Sequence, residues 1–327
     1  MGISNVSEHI VILDDWEQAL ARLLPKEYLR SKAKLSIYHH HLEGDALATA
    51  LRPATILILT RERCAIPNTL LDQCAGLRHI IFTGQRNSLL DVEHAKSRGI
   101  TVSNTGGGPG KASTCELTWA LILNACKRLA ERRLDRNQRA WRSGEAEVLP
   151  PILSGKTLGL IGLGEIGQRV AAVGQAFGMR TLTWSPNMTA ARAEPHGVLA
   201  VSLEELLSQS DVVSLHLVPS AATHKLMNAE RLALMKPDSL LVNTSRAALV
   251  DEQALLEALQ QGRPGLAALD VYMAEPIDDT HPLLQQPNAW LSPHLGFVVE
   301  PVFSQFAHDL SESLRAIFEG KPVPRKL

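Results

Sequence analysis

Short apolar runs, closed by turn residues and followed by stretches with helical spacing, recur along the whole chain. The first, His9 to Leu13, reads as a buried strand ended by Asp14 and Asp15. Trp16 to Leu29 then places Leu20, Leu23 and Leu24 on one side of a helix. Leu35 to Tyr38, Ala54 to Leu59, Arg78 to Phe82 and Gly99 to Ser103 are further strands, with a helix at Asn68 to Cys74. Strands alternating with helices at this spacing build a parallel sheet, so the first hundred residues form a small α/β domain. Asn104 to Gly110, with four glycines and a proline, breaks the pattern and reads as a domain crossing. Ser113 or Thr114 is then expected to cap a long helix, with Glu116 in its first turn. That helix carries Leu117, Ala120, Leu121 and Asn124 and runs into a basic segment, Lys127 to Arg142. Glu131 and Asp135 interleave its arginines, as on a solvated face.

The alternation resumes in the second half. Strands are expected at Asp211 to Leu217, Ser239 to Asn243, Gly265 to Val271 and Ala289 to Leu291, and helices at Leu203 to Leu207, Glu230 to Met235, Asp251 to Gln260 and Pro301 to Phe318. Ahead of these lies the most informative stretch, Lys156 to Asn187. The apolar run Leu158, Leu160, Ile161 leads into Gly162-x-Gly164-x-x-Gly167, a helix from Gln168 to Phe177, and a strand from Arg180 to Trp184. Strand, glycine turn, helix and strand make the unit that binds a dinucleotide. The first glycine allows the tight turn, the second lets backbone approach a pyrophosphate, and the third lets helix and strand pack closely. The pyrophosphate belongs at the helix N-terminus, where free N–H groups and the positive end of the dipole point.

Composition narrows the partners. The 33 basic and 34 acidic residues nearly cancel, which removes nucleic acid as the main partner. No apolar run reaches the roughly 18 residues of a membrane helix, and Met1 to His9 lacks the parts of a secretory signal. Cys64, Cys74, Cys115 and Cys126 show no Cys-x-x-Cys spacing, so buried, reduced thiols in a cytoplasmic protein are expected. His39, His40 and His41 cannot share one face of an element and read as a solvated turn; no metal site is expected.

Ligands of open parallel sheets bind beyond the carboxyl ends of the strands. The second half places Thr244-Ser245-Arg246 after one strand, Asp270 at the end of another, then Glu275, and finally Ser292-Pro293-His294. Hydride transfer to a ketone needs a proton donor, and histidine titrates in the right range. A neighbouring glutamate favours imidazolium and orients the ring. Arginine's planar fork suits a carboxylate. Asp270 is expected to meet the carboxamide end of a nicotinamide.

The order Gly162-Leu-Gly164-Glu-Ile-Gly167, Asn243-Thr-Ser-Arg246, Asp270-Val-Tyr-Met-Ala-Glu275-Pro and Pro293-His294-Leu-Gly resembles the D-isomer-specific 2-hydroxyacid dehydrogenases over nearly the whole chain. The resemblance implies an α/β fold of two Rossmann-like or flavodoxin-like parallel-sheet domains. The nucleotide domain (106–295) would be inserted into a discontinuous substrate domain (1–105 plus 296–327). It implies an oxidoreductase moving a hydride between NAD(P)(H) and a small 2-oxoacid or D-2-hydroxyacid. Arg246 would bind the substrate carboxylate and carbonyl, His294 act as acid/base, and Glu275 partner it. Cofactor contacts would come from Gly162, Gly164, Glu165, Ile166, Gly167, Ser185, Val218, Pro219, Thr223, Thr244, Ser245, Asp270 and Gly296, and substrate contacts from Gly84, Gln85 and Arg86. The long helix would contribute to a homodimer interface.

Three departures sharpen this. NAD-preferring members carry an aspartate after the second nucleotide-domain strand. Here Ser185 stands there, after Trp184, with Arg192 nearby, so NADP is expected to be accepted at least as well as NAD. The loop after Phe82, Gly-x-Gly in the family, reads Thr83-Gly84-Gln85-Arg86-Asn87. Arg86 either adds a cation for a second anionic or polar substrate group or clamps the glycine cluster. Ala247 replaces a glycine and puts little in doubt. Two alternatives remain: 3-phosphoglycerate oxidation, and a nucleotide-sensing corepressor on the same scaffold.

Overall fold

The computed structural model describes residues 8–130 and 149–327; the basic segment expected to reach Arg142 lies outside them beyond residue 130. The chain starts with β1 (Glu8–Leu13), α1 (Ala19–Leu23), α2 (Lys26–Lys32), β2 (Ala33–Ile37), α3 (Gly44–Leu51) and β3 (Ile56–Leu59). It continues through α4 (Asn68–Gln73), β4 (His79–Phe82), α5 (Val92–Ser97) and β5 (Thr101–Asn104). The five strands form one parallel sheet in the order β2-β1-β3-β4-β5. Ile10, Val11, Ile12 and Ile56 to Ile58 have no exposed surface, because a parallel strand covered on both faces is apolar throughout.

Two expectations change here. The single helix over Trp16 to Leu29 is two helices, since Pro25 offers no N–H to continue α1 and its carbonyl instead starts α2 by accepting from Leu29 at 3.0 Å. The histidine turn is tethered rather than simply solvated. His41 Nδ1 donates to buried Asp14 Oδ1 at 3.1 Å, and His39 Nδ1 donates to the Asp15 carbonyl at 3.0 Å.

After the glycine crossing come α6 (Gly110–Lys127), β6 (Thr157–Ile161), α7 (Glu165–Ala176), β7 (Arg180–Trp184), α8 (Ala190–Ala193) and β8 (Leu199–Ala200). Then follow α9 (Leu203–Gln209), β9 (Val212–Leu215), α10 (Ala229–Leu234), β10 (Leu240–Asn243), α11 (Glu252–Gln260), β11 (Leu266–Leu269) and β12 (Ala289–Leu291). These strands form a seven-stranded sheet in the order β12-β11-β10-β9-β6-β7-β8. Its pairs are all parallel. The order reverses between β6 and β9, so the crevice of this sheet opens beyond Ile161 and Leu215. α6 begins at Gly110, so Ser113 and Thr114 lie inside the helix and cap nothing.

The last helix, α12 (Glu300–Phe318), belongs with the first sheet. The chain thus divides into two compact units, one of Met1–Gly110 with Val298–Leu327 and one of Lys111–Phe297. The second is inserted into the first. Among the described residues no helix is long and apolar enough to cross a membrane. All four cysteines are buried and unpaired, and burial pushes the Cys64 thiol up to about 12. On α12, His308, Asp309 and Glu312 bring ligand-type atoms within 4.8 Å of one another. Arg325 bonds both carboxylates, Asp309 at 2.9 Å and Glu312 at 3.5 Å.

Candidate active site

The glycine turn joins β6 to α7 at the switch point of the seven-stranded sheet. Gly162 has φ +105°, and a Cβ there would lie 2.6 Å from the His216 carbonyl oxygen. A Cβ on Gly167 would lie 2.2 Å from the Gly162 carbonyl oxygen. Both positions are closed to any side chain by the protein itself. Gly164 differs. Its φ of −76° and ψ of −169° suit any residue, and a Cβ there meets nothing within 4 Å. The space over Gly164 is a cradle that a methyl group would fill. The first intrahelical bond of α7 runs from Gln168 N–H to the Gly164 carbonyl at 2.9 Å, leaving the N–H groups of Glu165, Ile166 and Gly167 without helical acceptors. Together these features fit a pyrophosphate. Glu165 is paired with Lys111 of α6 at 2.5 Å, which offsets a carboxylate that would otherwise face the same anion. Behind the turn, burial lowers the His216 imidazole to about 4, so it is neutral at pH 7, with Ser214 Oγ 2.9 Å from its Nε2.

The carboxyl ends of β10, β11 and β12 carry the remaining chemistry of this unit. His294 Nδ1 donates to Glu275 Oε2 at 2.6 Å, and Glu275 Oε1 accepts the Tyr272 N–H at 2.9 Å. A carboxylate on Nδ1 fixes the proton there and leaves Nε2 for a reacting group. The ring, 25% exposed, also stands edge-on to Phe297, with centroids 5.7 Å apart. Arg246 follows β10; its carbonyl accepts from Asn243 Nδ2 at 2.9 Å, and its own guanidinium donates to the Ser245 carbonyl at 2.8 Å.

Asp270 does something other than wait for a ligand. It has no exposed surface, and its oxygens accept from Ser292 Oγ (2.6 Å), Leu295 N–H (2.7 Å) and Gly296 N–H (2.9 Å). Burial pushes this carboxyl above its usual range, against those three donors and His294. Asp270 therefore holds the turn that carries His294. A signal existed in the sequence, since Ser292 lies two residues before the histidine, but the backbone donors did not show. Tyr272 joins the same support: its hydroxyl donates to the Ser292 carbonyl at 2.9 Å, with the Leu269 carbonyl 3.1 Å away, and burial pushes its pKa up.

Other expected cofactor residues divide. Ser185 directly follows β7, and Val218 and Pro219 follow β9, with Val218 72% exposed. Ser245 Oγ donates to the Leu217 carbonyl at 2.6 Å, tying the two loops together. Thr223 is 3% exposed, and its hydroxyl accepts the Ser220 N–H at 2.8 Å, so the structure uses it inside a turn. Thr244 is buried and faces Thr118 of α6, with their hydroxyl oxygens 2.8 Å apart. Thr114, Thr118 and Lys111 are the residues of this region that the sequence reading missed. The signal was a set of polar side chains, Lys111, Thr114 and Thr118, at one-turn intervals along one side of a helix, running from exposed to buried.

In the other unit, the loop after β4 is anchored by its side chains. Gly84 N–H donates to Thr105 Oγ1 at 2.8 Å, Asn87 Nδ2 donates to the Arg61 carbonyl at 2.9 Å, and Asn104 Nδ2 donates to the Gln85 carbonyl at 3.2 Å. The Gly84 N–H is thus already used, while the N–H groups of Gln85 and Arg86 have no acceptor among the described residues. Gly84 has φ +88°, and a Cβ there would fall 1.8 Å from Arg61 Nη1. The guanidinium packed on this glycine is that of Arg61. Arg86 is exposed and bonds no glycine among the described residues, so no hydrogen bond supports the clamp.

Comparison with known proteins agrees with this geometry. Residues 119–296 match the family described as D-isomer specific 2-hydroxyacid dehydrogenase, NAD binding domain. The chain is 38% identical over 305 residues to a glyoxylate reductase of Aeropyrum pernix, covering 92% of this chain and 85% of that one. It is 31% identical to a D-3-phosphoglycerate dehydrogenase of Synechocystis, over 81% of this chain but only 47% of that longer protein. The structure of a phosphoglycerate oxidoreductase from Vibrio cholerae O395 superposes with a TM-score of 0.87 at 34% identity, covering 96% of this chain and 99% of that one. The chain belongs to the D-isomer-specific 2-hydroxyacid dehydrogenase family. It is an NAD-dependent 2-hydroxyacid oxidoreductase by that membership.

Proposed function

We propose that this enzyme reduces small 2-oxoacids to D-2-hydroxyacids and runs the reverse oxidation when substrate levels favour it. The observation that carries the reading is the His294–Glu275 bond at 2.6 Å, which leaves one imidazole nitrogen directed away from the carboxylate. His294 Nε2 gives a proton to the carbonyl oxygen in reduction and takes it back in oxidation. Arg246 holds the substrate carboxylate and polarises the carbonyl. When bound, the nicotinamide supplies the hydride. Gly162, Gly164, Gly167 and the free N–H groups of α7 hold the pyrophosphate, and Ser185, Val218, Pro219 and Ser245 line the rest of the cofactor's path. The test is cofactor oxidation at 340 nm over a panel of 2-oxoacids with each cofactor. Absence of turnover on every member, with tight cofactor binding, would overturn the reading in favour of a nucleotide sensor.

A second reading concerns the substrate. The relative named glyoxylate reductase supports a small 2-oxoacid. The exposed Arg86 and the open N–H groups of Gln85 and Arg86 support a substrate with a second anionic or polar group, 3-phosphoglycerate among them. Arg86→Ala then costs more kcat/KM on a dicarboxylic or phosphorylated 2-oxoacid than on pyruvate. Equal loss on both contradicts it.

The 2′ end of the cofactor is read at Ser185. No carboxylate follows β7 to repel a 2′-phosphate, and Arg192 lies over the same loop, donating to the Asn187 carbonyl at 2.6 Å. Use of NADP alongside NAD follows. A cytoplasmic homodimer completes the proposal. Its support is the exposed apolar surface of Leu129, Leu149, Ile152 and Phe177, which are 58%, 87%, 68% and 41% exposed. Sedimentation of the purified protein as a monomer would contradict the dimer.

A further inference from the structure

The turn that carries His294 is held in a conformation its residues would not choose alone. His294 has φ +54°, in the left-handed region. Such a conformation is unfavourable for a non-glycine residue and persists only where the surroundings enforce it. Three restraints come from nearby in the same unit. His294 N–H donates to the Ser292 carbonyl at 3.0 Å, and the Leu295 and Gly296 N–H groups donate to Asp270. All three act on N–H groups.

The carbonyl side of the turn is restrained from α6. Thr114 Oγ1 donates to the Gly296 carbonyl at 3.0 Å, across 182 residues of sequence. A Cβ on Gly296 would lie 3.3 Å from both Asp270 Oδ2 and Thr114 Oγ1. The glycine is therefore gripped between a carboxylate on its N–H side and a hydroxyl on its carbonyl side. Thr114 is itself fixed one helical turn further on. Thr118 Oγ1 donates to the Thr114 carbonyl at 2.8 Å. A hydroxyl has one proton, so the 2.8 Å contact between Thr118 and Thr244 has Thr244 as donor. One edge of α6 thus buttresses both the loop after β10 and the turn after β12.

We infer that Thr114 is a positioning residue for the reaction: its hydroxyl fixes the Gly296 carbonyl and so sets the orientation of the His294 imidazole. The inference rests on the reading of His294 as proton donor. Thr114→Val keeps the shape and removes the hydroxyl; Thr114→Ser keeps the hydroxyl. With the intact enzyme, Thr114→Val lowers kcat about tenfold, a change of ~1.4 kcal/mol in the barrier. It also raises the primary deuterium isotope effect on kcat with 4-deuterated NADH. NADH affinity, read by fluorescence titration, stays within about twofold, since the pyrophosphate and ribose contacts are untouched. Thr114→Ser restores kcat to within about twofold. Should the valine variant not fold, Thr114→Ala carries the same expectations. Wild-type kcat and isotope effect in Thr114→Val, or an equal loss of NADH affinity and kcat, overturns the inference. His294→Ala, measured alongside, separates the two levels. If it retains kcat, the reading of His294 fails; if it is inactive while Thr114→Val is normal, only the role of Thr114 fails.

Discussion

His294 Nδ1 lies 2.6 Å from Glu275 Oε2, and the other oxygen of that glutamate accepts the Tyr272 N–H at 2.9 Å. The imidazole is therefore oriented by a carboxylate that the backbone has itself oriented. Glu275→Gln keeps an acceptor for Tyr272 but loses the charge beside the ring. The expected outcome is a fall in kcat of about 10- to 100-fold, within the range that general acid–base groups contribute. NADH affinity is expected to persist. Steady-state kinetics with a fluorescence titration checks both, and an unchanged kcat would remove Glu275 from the machinery.

The three glycines of the dinucleotide turn are expected to respond differently to alanine. At Gly162 and Gly167 a methyl group meets backbone oxygen at 2.6 and 2.2 Å, so each substitution destabilises the fold. The loss should exceed about 2 kcal/mol, from steric overlap at both and from φ +105° at Gly162. Gly164→Ala meets nothing, so the unfolding midpoint in urea stays put while NADH binding weakens at least about tenfold, or ~1.4 kcal/mol. If Gly164→Ala binds NADH normally, the pyrophosphate does not pass over this residue.

Cofactor choice gives a third test. With Ser185 after β7, kcat/KM for NADPH is expected to match or exceed that for NADH. A preference for NADH above about a hundredfold, roughly 2.7 kcal/mol, contradicts it.

A stability prediction concerns the opposite end of the central strands, where β6 and β9 begin. Asp211 is pushed up by burial, but the Thr157 N–H at 2.7 Å, Lys236 at 3.0 Å and Lys156 at 3.8 Å together hold its carboxyl below the usual range. A carboxyl depressed in the folded state contributes stability above its unfolded pKa and loses it as pH falls through the folded one. Asp211→Asn is therefore expected to cost about 1–3 kcal/mol at pH 7, and the gap to wild type to close below about pH 4. Urea titrations at pH 7 and at steps from about pH 4 to pH 2 decide it; a gap that does not narrow over that range assigns the loss to packing.

How far the chain could be read in advance follows from where each constraint acts. β1 and β3 were legible because strands buried on both faces must be continuously apolar. The α3 segment, Gly-Asp-Ala-Leu-Ala-Thr-Ala-Leu, passed unnoticed although Leu47, Ala50 and Leu51 are spaced to bury one face, because its alanines and glycine blur the contrast between that face and the rest. The start of α6 was misplaced because Ser113 and Thr114 look like caps, whereas Thr114 serves a carbonyl at Gly296. Arg246, Glu275 and His294 stood out because strand ends and residue chemistry coincide there. The satisfaction of Asp270 did not, because its donors are a hydroxyl and two N–H groups 22 to 26 residues away, and an N–H carries no sequence signature. For Arg86 the sequence left two roles open, and side-chain type alone did not show that the guanidinium packed on Gly84 is that of Arg61.

The central claim is that His294 moves the proton. Its most direct test is single-turnover reduction of an active 2-oxoacid by enzyme-bound NADH in His294→Ala. The account predicts that NADH still binds and that the rate of its oxidation falls by at least about 100-fold. A near-normal rate with bound NADH would contradict it.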